Sequence, residues 1–217
     1  MRNNKPLKIF IIIALILVVI ISAVSLLVLK DPNKDKYNVE PSTKLMQDII
    51  ISTVQSSELK VSQDELNGAL AYRLTKEDSN GSVNGLYFDL QDMKDDKVKV
   101  YMPITYKSID LGVSAYVKPS LDKENNVFCF EISNAKVGLL PISSKMLADK
   151  IKDSEPNMFT SADNKLFVNS YIKYDIHSTS VKIQIDEFRI EDGQVVIKTS
   201  GLLKTVEDLF KDFIIGD

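Results

Sequence analysis

The chain has 217 residues, a formal net charge of −3, one histidine and one cysteine. Its slight excess of acidic residues and its lack of basic clusters interleaved with aromatics argue against nucleic acid as a partner. A single cysteine cannot form an internal disulfide, and Cys129, between two phenylalanines, is interpreted as a buried structural thiol. The length suffices for one domain with its own core.

Residues 9–29 (IFIIIALILVVIISAVSLLVL) form an uncharged run in which Ser22 and Ser25 are the only polar side chains. As a helix this run would extend about 30 Å, the thickness of the hydrocarbon core of a bilayer. A cleavable secretory signal has a shorter apolar core, of about 7–15 residues, followed by a small-residue cleavage site. The run therefore predicts a retained transmembrane anchor.

The predicted topology is a single pass through the cell membrane. Residues 1–8 form a cytoplasmic tail, 9–29 the span, 30–41 a juxtamembrane linker and 42–217 an extracytoplasmic domain. Lys and Arg are balanced on the two sides of the span, so the orientation follows from the long domain, which translocates largely regardless of its charge. An exported domain without disulfides fits the envelope of Gram-positive bacteria.

Two amphipathic helices are predicted after the linker. The first covers residues 43–56, with Ser42 as a possible N-cap. The second begins at a capping box, Ser62 with Glu65, in which each side chain bonds the backbone N–H of the other residue, and it fades by Lys76. Val61 and Leu66 stand in the positions of a hydrophobic staple. Residues 77–84 are predicted to be a loop.

From residue 98 to about 139 the apolar period changes to two. Four alternating sets indicate strands with one apolar face each, in an antiparallel sheet covered on one side. Their parity switches between Tyr106 and Ile109, which requires a bulge or a tight turn. The sets are residues 98–106, 109–117, 128–132 and 135–139.

The last part of the chain is predicted to alternate between helices and strands. A short helix capped by Ser143 or Ser144 follows Pro141, and residues 153–165 form a long loop. Strands follow at 166–176, 181–185 and 195–197, the last two joined by a turn at Asp192-Gly193, and a helix covers 202–214. The fold class is α+β: an N-terminal transmembrane helix, then a long curled antiparallel sheet packed against a few helices.

Catalytic signatures are missing from the sequence. His177 has no metal-ligating neighbours at zinc spacing, and Asp92, Asp95 and Asp96 lack the alternation of a calcium loop, which favours a solvated hairpin turn. No nucleophile elbow and no phosphate-binding glycine pattern occurs. We therefore expect a protein that is not an enzyme and that has no catalytic residue, metal or cofactor.

Several segments together resemble one known family. They are the helix start Val61-Ser62-Gln-Asp-Glu65-Leu66-Asn67-Gly-Ala-Leu70, the strand Val98-Lys-Val-Tyr-Met-Pro-Ile104, and the turn Gly138-Leu139-Leu140-Pro141 before a helix. This arrangement, over residues 60–200, resembles the YpmS-like family of membrane-anchored extracytoplasmic proteins of Gram-positive bacteria. More distantly it is similar to lipid-binding domains in which a long curled sheet wraps a helix into a tubular apolar groove.

The favoured hypothesis is a membrane-anchored module that binds a lipid or other amphiphile, because long one-faced strands with few helices leave an apolar cavity. The alternative is a dry, packed core, which indicates a protein-interaction or scaffolding domain of an envelope complex. The expected partners are the bilayer, an amphiphile or an envelope protein. The predicted groove residues are Leu66, Leu70, Val100, Met102, Ile104, Phe128, Phe130 and Ile132.

Overall fold

The computed structural model describes residues 5–37, 39–55, 58–76, 84–154, 156–176 and 179–200. The fold is α+β, with an apolar N-terminal helix followed by antiparallel sheets and short helices, as the sequence predicts. The predicted C-terminal helix, His177 and nearly all of the predicted loop 77–84 lie outside the described residues. The helices are α1 (Lys5–Leu29), α2 (Lys44–Gln55), α3 (Gln63–Lys76) and α4 (Ser144–Ser154).

The strands in the described residues form two open antiparallel sheets, so the prediction of one long curled sheet is not supported. The four-stranded sheet has the order β1-β11-β10-β9, and the other, seven-stranded sheet has the order β2-β3-β4-β5-β8-β7 with β6 paired to β5. The strands are β1 (Glu58–Val61), β2 (Tyr87–Lys94), β3 (Lys97–Tyr106), β4 (Ile109–Asp122), β5 (Val127–Val137), β6 (Leu140–Pro141), β7 (Thr160–Ala162), β8 (Lys165–Asn169), β9 (Tyr171–Ile176), β10 (Thr179–Glu191) and β11 (Gln194–Ser200).

Ser170 is the point at which the chain leaves one sheet for the other, and it explains why the predicted strand 166–176 is two strands. This fully buried residue separates β8, which pairs with β5, from β9, which pairs with β10. Its N–H donates to the carbonyl of Asn126, while its own carbonyl accepts from the N–H of Ile185 (2.9 Å each). The chain therefore changes sheets with its backbone hydrogen bonds satisfied on both sides.

Tight turns join the long strands. Both central residues of the turns Asp95-Asp96, Lys107-Ser108 and Asp192-Gly193 have positive φ, the hairpin geometry that matches the right-handed twist of strands. Of the two alternatives for the parity switch after Tyr106, the structure has the tight turn, because Tyr106 pairs directly with Ile109.

The third and fourth alternating sets are one strand, β5, rather than two. Its register against β4 passes from Tyr116↔Ser133 to Ser114↔Lys136, so Asn134 and Ala135 both stand opposite Ala115. Asn134 has a φ of 51°. A bulge of this kind inverts the parity of the side chains while the strand continues. Within the predicted loop 153–165, residues 160–162 form the short strand β7.

The predicted helix starts are confirmed in their hydrogen bonds. The N–H of Lys44 donates to Ser42 Oγ (3.2 Å), and the N–H of Met146 donates to Ser143 Oγ (3.3 Å), which selects Ser143 as the cap of α4. In the capping box, the N–H of Ser62 donates to Glu65 Oε2 (3.0 Å), and the N–H of Glu65 donates to Ser62 Oγ (3.3 Å).

Two apolar clusters form the interior. The first joins α2 to the four-stranded sheet and the start of β3, and the second joins α4 to the seven-stranded sheet. The buried members of the first cluster are Leu45, Ile49, Val61, Leu90, Val98, Ile183, Val195 and Ile197. Those of the second cluster are Val100, Val113, Ala115, Val117, Ile132, Ala135, Leu147, Ala148 and Leu166.

Helix α1 is long and apolar enough to cross a membrane, and none of its candidate window is covered by the rest of the described chain. Among its described side chains, Leu15 (60% exposed) and Leu26 (71% exposed) are largely uncovered by the rest of the described chain. Length and composition are thus consistent with a single-pass helix, as the sequence predicts.

Candidate functional site

The predicted groove residues do not line one common surface. Five of them belong to or pack against the second cluster: Val100, Met102, Ile104, Phe130 and Ile132. Leu66 packs against the first cluster, and Leu70 is half-buried on α3. The ring of Phe128, which is buried, lies 6.0 Å from that of Phe130 and 5.2 Å from that of Phe188.

The apolar residues of the second cluster lie on one side of the seven-stranded sheet, where they pack against α4. Val100 and Ile132 are in the same cluster as Leu147 and Ala148, and Ala148 is fully buried. We call this side, which carries Val98, Val100 and Met102 of β3, the inner face. None of the eight predicted residues lines either of the two cavities described below. The apolar groove remains a prediction.

The opposite side of β3 and β4 carries a different set of side chains. Strand alternation places Lys99 and Tyr101 of β3 here, beside their partners Tyr116 and Ser114 of β4. We call this the outer face. The sequence predicts a sheet covered on one side only, but part of the linker lies on the outer face, where residues 34–37 form a 3₁₀ turn next to β3.

Lys36 holds the linker to the outer face. Its Nζ donates to Asp89 Oδ2 (2.5 Å) and lies 4.8 Å from the centre of the Tyr101 ring. Asp89 and Tyr101 are both buried, with exposed fractions of 7% and 1%. The hydrogen bond to Asp89 raises the pKa of Lys36 above its usual value, so the ammonium stays charged over Tyr101.

Two glycines allow the chain near the end of α1 to approach the sheet closely. A Cβ on Gly138 would lie 2.4 Å from the carbonyl oxygens of both Leu27 and Val28, and a Cβ on Gly112 would lie 2.2 Å from the carboxyl carbon of Asp31. The N–H of Leu139 donates to the carbonyl of Leu27 (2.9 Å). Since the last carbonyls of a helix have no partner within the helix, this bond caps α1 with the domain itself.

A cavity of about 610 Å³ lies between the linker and the outer face. Its lining combines polar with small apolar groups, and it includes two lysines and no carboxylate. The lining residues are Pro32, Asn33, Lys99, Ser114, Ala115, Tyr116, Asn134, Ala135, Lys136, Gly138, Leu139, Pro141, Ile142 and Ser144. We call it the linker cavity.

Lys99 is the more constrained of the two cations. Its Nζ donates to Asp92 Oδ2 (3.0 Å) and lies 5.3 Å and 5.7 Å from the ring centres of Tyr101 and Tyr116. Burial lowers the pKa of Lys99, but hydrogen bonding to Tyr101 and Asp92 outweighs it, so the net pKa is raised. Hydrogen bonding to Lys99 in turn lowers the pKa of Asp92. Lys136, the other lysine of the lining, is exposed on β5, where it pairs with Ser114.

A second cavity, of about 350 Å³, is open and lined by polar residues at the start of α3 and at the β10–β11 turn, among them Asp64 and Asp192. The described residues contain no group of three or more His, Cys, Asp or Glu side chains that could hold a metal ion. In the described residues the linker cavity is therefore the stronger candidate, and its chemistry is suited to binding an anionic or polar group.

Sequence reasoning missed the residues of the linker cavity. The available signal was the set of residues that alternate with the apolar ones, because Lys99, Tyr101 and Tyr116 place an ammonium among aromatic rings on the side expected to face solvent. The linker gave no signal, since its contacts with the sheet are between residues distant in sequence.

Comparison of the chain with models of protein families, with curated proteins and with solved structures finds no match. The resemblance to the YpmS-like family thus stays an expectation from the sequence, and function has to be argued from the site.

Proposed function

We propose that this chain is a membrane-anchored, non-enzymatic module that binds an amphiphile with an anionic headgroup in the linker cavity. The anchor is α1, with the N-terminus in the cytoplasm and the domain at the outer surface of the cell membrane. The observation that carries the proposal is the position of the cavity, which lies next to the end of an apolar, membrane-length helix. Its lining contains Lys136 and Lys99, the latter ion-paired with Asp92, which lies outside the lining, and it contains no carboxylate.

Charge and location favour the same ligand class. An ammonium that is partly shielded from water binds a phosphate or carboxylate more strongly than a fully solvated one does. The cavity also offers apolar contacts from Leu139 and Ile142, where each buried CH₂ of a ligand contributes about 0.8 kcal/mol. A headgroup on the lysines and the first acyl carbons against these side chains would satisfy both kinds of lining.

An apolar groove on the inner face, and with it a curled sheet, would require α4 to leave the second cluster. The packing of Leu147 and Ala148 against that sheet favours the second candidate function there, a packed scaffolding domain that binds an envelope protein. The two proposals therefore use different faces, and they are separable by mutation.

The test measures how much lipid the full chain retains. The chain is incorporated in nanodiscs of mixed phosphatidylglycerol and phosphatidylcholine and purified from them, and the retained lipid is measured by mass spectrometry. Lys136→Glu places a carboxylate in the cavity and should reduce retained phosphatidylglycerol several-fold. Lys198→Glu, at an exposed position on β11 in the other sheet, is the matched control and should retain as much as the wild type. Equal retention by both variants would contradict the cavity as the site.

The variant Phe130→Ser distinguishes an amphiphile bound on the inner face from one bound in the linker cavity. If an amphiphile occupies the inner face, this variant stays folded and loses its lipid. If the inner face is a packed core, the variant loses stability, because it opens space and buries a hydroxyl, while any lipid in the linker cavity is retained.

The orientation of the chain in the membrane is tested by adding protease to intact protoplasts. Removal of the domain and protection of the N-terminal tail are expected.

A further inference from the structure

One end of the seven-stranded sheet combines exposed apolar side chains with the contacts to α1. Tyr106 and Ile109, which pair beside the turn Lys107-Ser108, are 58% and 47% exposed, and Leu139 in the neighbouring turn is 41% exposed. The N–H of Gly138 donates to the carbonyl of Gly112 (2.7 Å), so the second turn lies beside β4 at Gly112, three residues from Ile109. We call residues 106–109 together with 138–139 the turn end.

The path of the linker shows which way the turn end points. Asp31 lies against Gly112, which pairs with Pro103, whereas Lys36, five residues later, lies against Tyr101. Along β3, Tyr101 is farther from the Lys107-Ser108 turn than Pro103 is. The chain therefore runs away from the turn end as it leaves α1, and the turn end faces back toward the helix.

The depth of the turn end follows from the same contacts. Leu139 is bonded to Leu27, which lies within the apolar run of α1, before its last residue Leu29. Ile109 lies three residues from Gly112 along β4, a distance of about 10 Å in the direction away from the linker. If α1 spans the bilayer, as proposed above, these side chains are level with its boundary.

The residue types of the turn end suit the boundary of the bilayer. Tyrosine is enriched where hydrocarbon meets headgroups, and lysine reaches from there to lipid phosphates. Lys107 Nζ lies 5.4 Å from the Tyr106 ring centre, so the apolar and the cationic group are presented together. Asp110, hydrogen-bonded by Thr105 (2.7 Å), limits penetration to the headgroup layer, since a carboxylate is costly in hydrocarbon.

We infer that the turn end is a second membrane contact, in which Tyr106, Ile109 and Leu139 sit in the interfacial layer of the bilayer beside the anchor. The domain is then held by two attachments, α1 and the turn end, and it cannot rotate freely on its linker. This inference rests on the proposed anchor but not on the ligand of the linker cavity.

The chain contains no tryptophan, so one introduced indole reports its surroundings without background. Tyr106→Trp is made in the full chain, reconstituted in vesicles of phosphatidylglycerol and phosphatidylcholine with or without brominated acyl chains. The matched control is Ile51→Trp on α2, which is 52% exposed in the part of the fold that packs on the four-stranded sheet. Leu17→Trp, within the apolar run, reports on the span itself.

We expect a blue-shifted emission for Tyr106→Trp and a loss of intensity in brominated vesicles several-fold larger than for Ile51→Trp. Equal emission and equal quenching at 106 and 51, with strong quenching at 17, would overturn the turn-end contact while the anchor stands. Absence of quenching at 17 would overturn the anchor and the contact together. The lipid retention of Lys136→Glu is measured independently of the tryptophan emission at positions 106, 51 and 17. A failure of the cavity proposal can therefore be distinguished from a failure of the turn-end contact.

Discussion

The two faces of β3 and β4 are covered in different ways. On the inner face, Val100 and its neighbours pack against α4 in the second apolar cluster. On the outer face, Lys36 fixes the linker by its ion pair with Asp89 and its position over the Tyr101 ring. The end of α1 and the start of the linker approach the sheet closely at Gly138 and Gly112. Apolar packing tolerates exchange among residues of similar volume, whereas the contacts of the outer face depend on individual groups.

This difference explains where a binding site can form. The inner face buries its residues by close packing, and the helix that covers it is anchored by Ala148, which has no exposed surface. The linker has few apolar side chains to fill the space above the outer face, so polar contacts hold it there and a cavity remains beneath it. A site for a polar ligand therefore forms on the outer face, whose residues do not belong to the apolar pattern of the strands.

The largest effect is expected from a cavity made on the inner face. Ile132 is 2% exposed within the second cluster, so Ile132→Ala should lower the free energy of unfolding by about 2–5 kcal/mol. Ile109→Ala, at a 47% exposed position, is the control in detergent and should change stability by less than about 0.5 kcal/mol. Chemical denaturation of both variants measures the difference. A neutral Ile132→Ala would mean that this face is not tightly packed and would favour the predicted groove.

The next effect tests the outer face through its backbone. Gly138 has a φ of 58°, and a Cβ there would meet the carbonyls of Leu27 and Val28, so Gly138→Ala should cost about 1–3 kcal/mol and release the linker. At Gly112 the added Cβ meets the side chain of Asp31, which can move, so Gly112→Ala should cost less. Trypsin cleavage after Lys34 and Lys36 in the full chain reports the release. Equal cleavage of wild type and Gly138→Ala would contradict the role of Gly138 in holding the linker on the sheet.

The sequence predicted what depends on neighbouring residues. The capping box at Ser62, the Ser42 cap and the Asp192-Gly193 turn are local, and each forms as expected. The alternation of β3 and β4 predicted the inner face correctly. Two patterns were misread, because the bulge at Asn134 inverts parity within one strand and Ser170 divides another between two sheets.

The candidate site could not be predicted in this way. Its walls come from residues 32–33, 99, 114–116, 134–136, 138–139, 141–142 and 144, which only the tertiary fold brings together. The sequence shows Lys36 and Asp89 as two ordinary surface charges, and their pairing depends on how the linker turns after α1. The apolar stripes directed attention to the inner face, because hydrophobic periodicity reports burial and does not report polar contacts between distant segments.

A smaller effect is expected from the ion pair itself. Lys36→Met leaves the buried carboxylate of Asp89 without its cation and should cost about 1–2 kcal/mol, a value moderated because the lysine side chain is partly exposed. Lys34→Met, an exposed position in the same 3₁₀ turn, is the matched control and should be nearly neutral. Thermal unfolding in the same detergent compares the two. Equal losses would contradict the role of the Lys36 contact.

The smallest effect is expected at the capping box, which lies outside both faces and was predicted from neighbouring residues alone. The hydrogen bond from Lys44, with those from Ser62, lowers the pKa of Glu65 from 4.5 to about 2. Because the folded pKa lies below the unfolded one, the stability this carboxylate adds is complete above about pH 4.5 and is lost as the pH falls toward 2. With Glu65 partly exposed, we expect a loss of about 1 kcal/mol over that range. Glu65→Gln keeps a side chain that suits the capping box and lacks the titrating group, so its stability should fall less between pH 5 and pH 2.5 than that of the wild type. Identical pH dependence in the two proteins would mean that Glu65 gains no charge-dependent contact on folding.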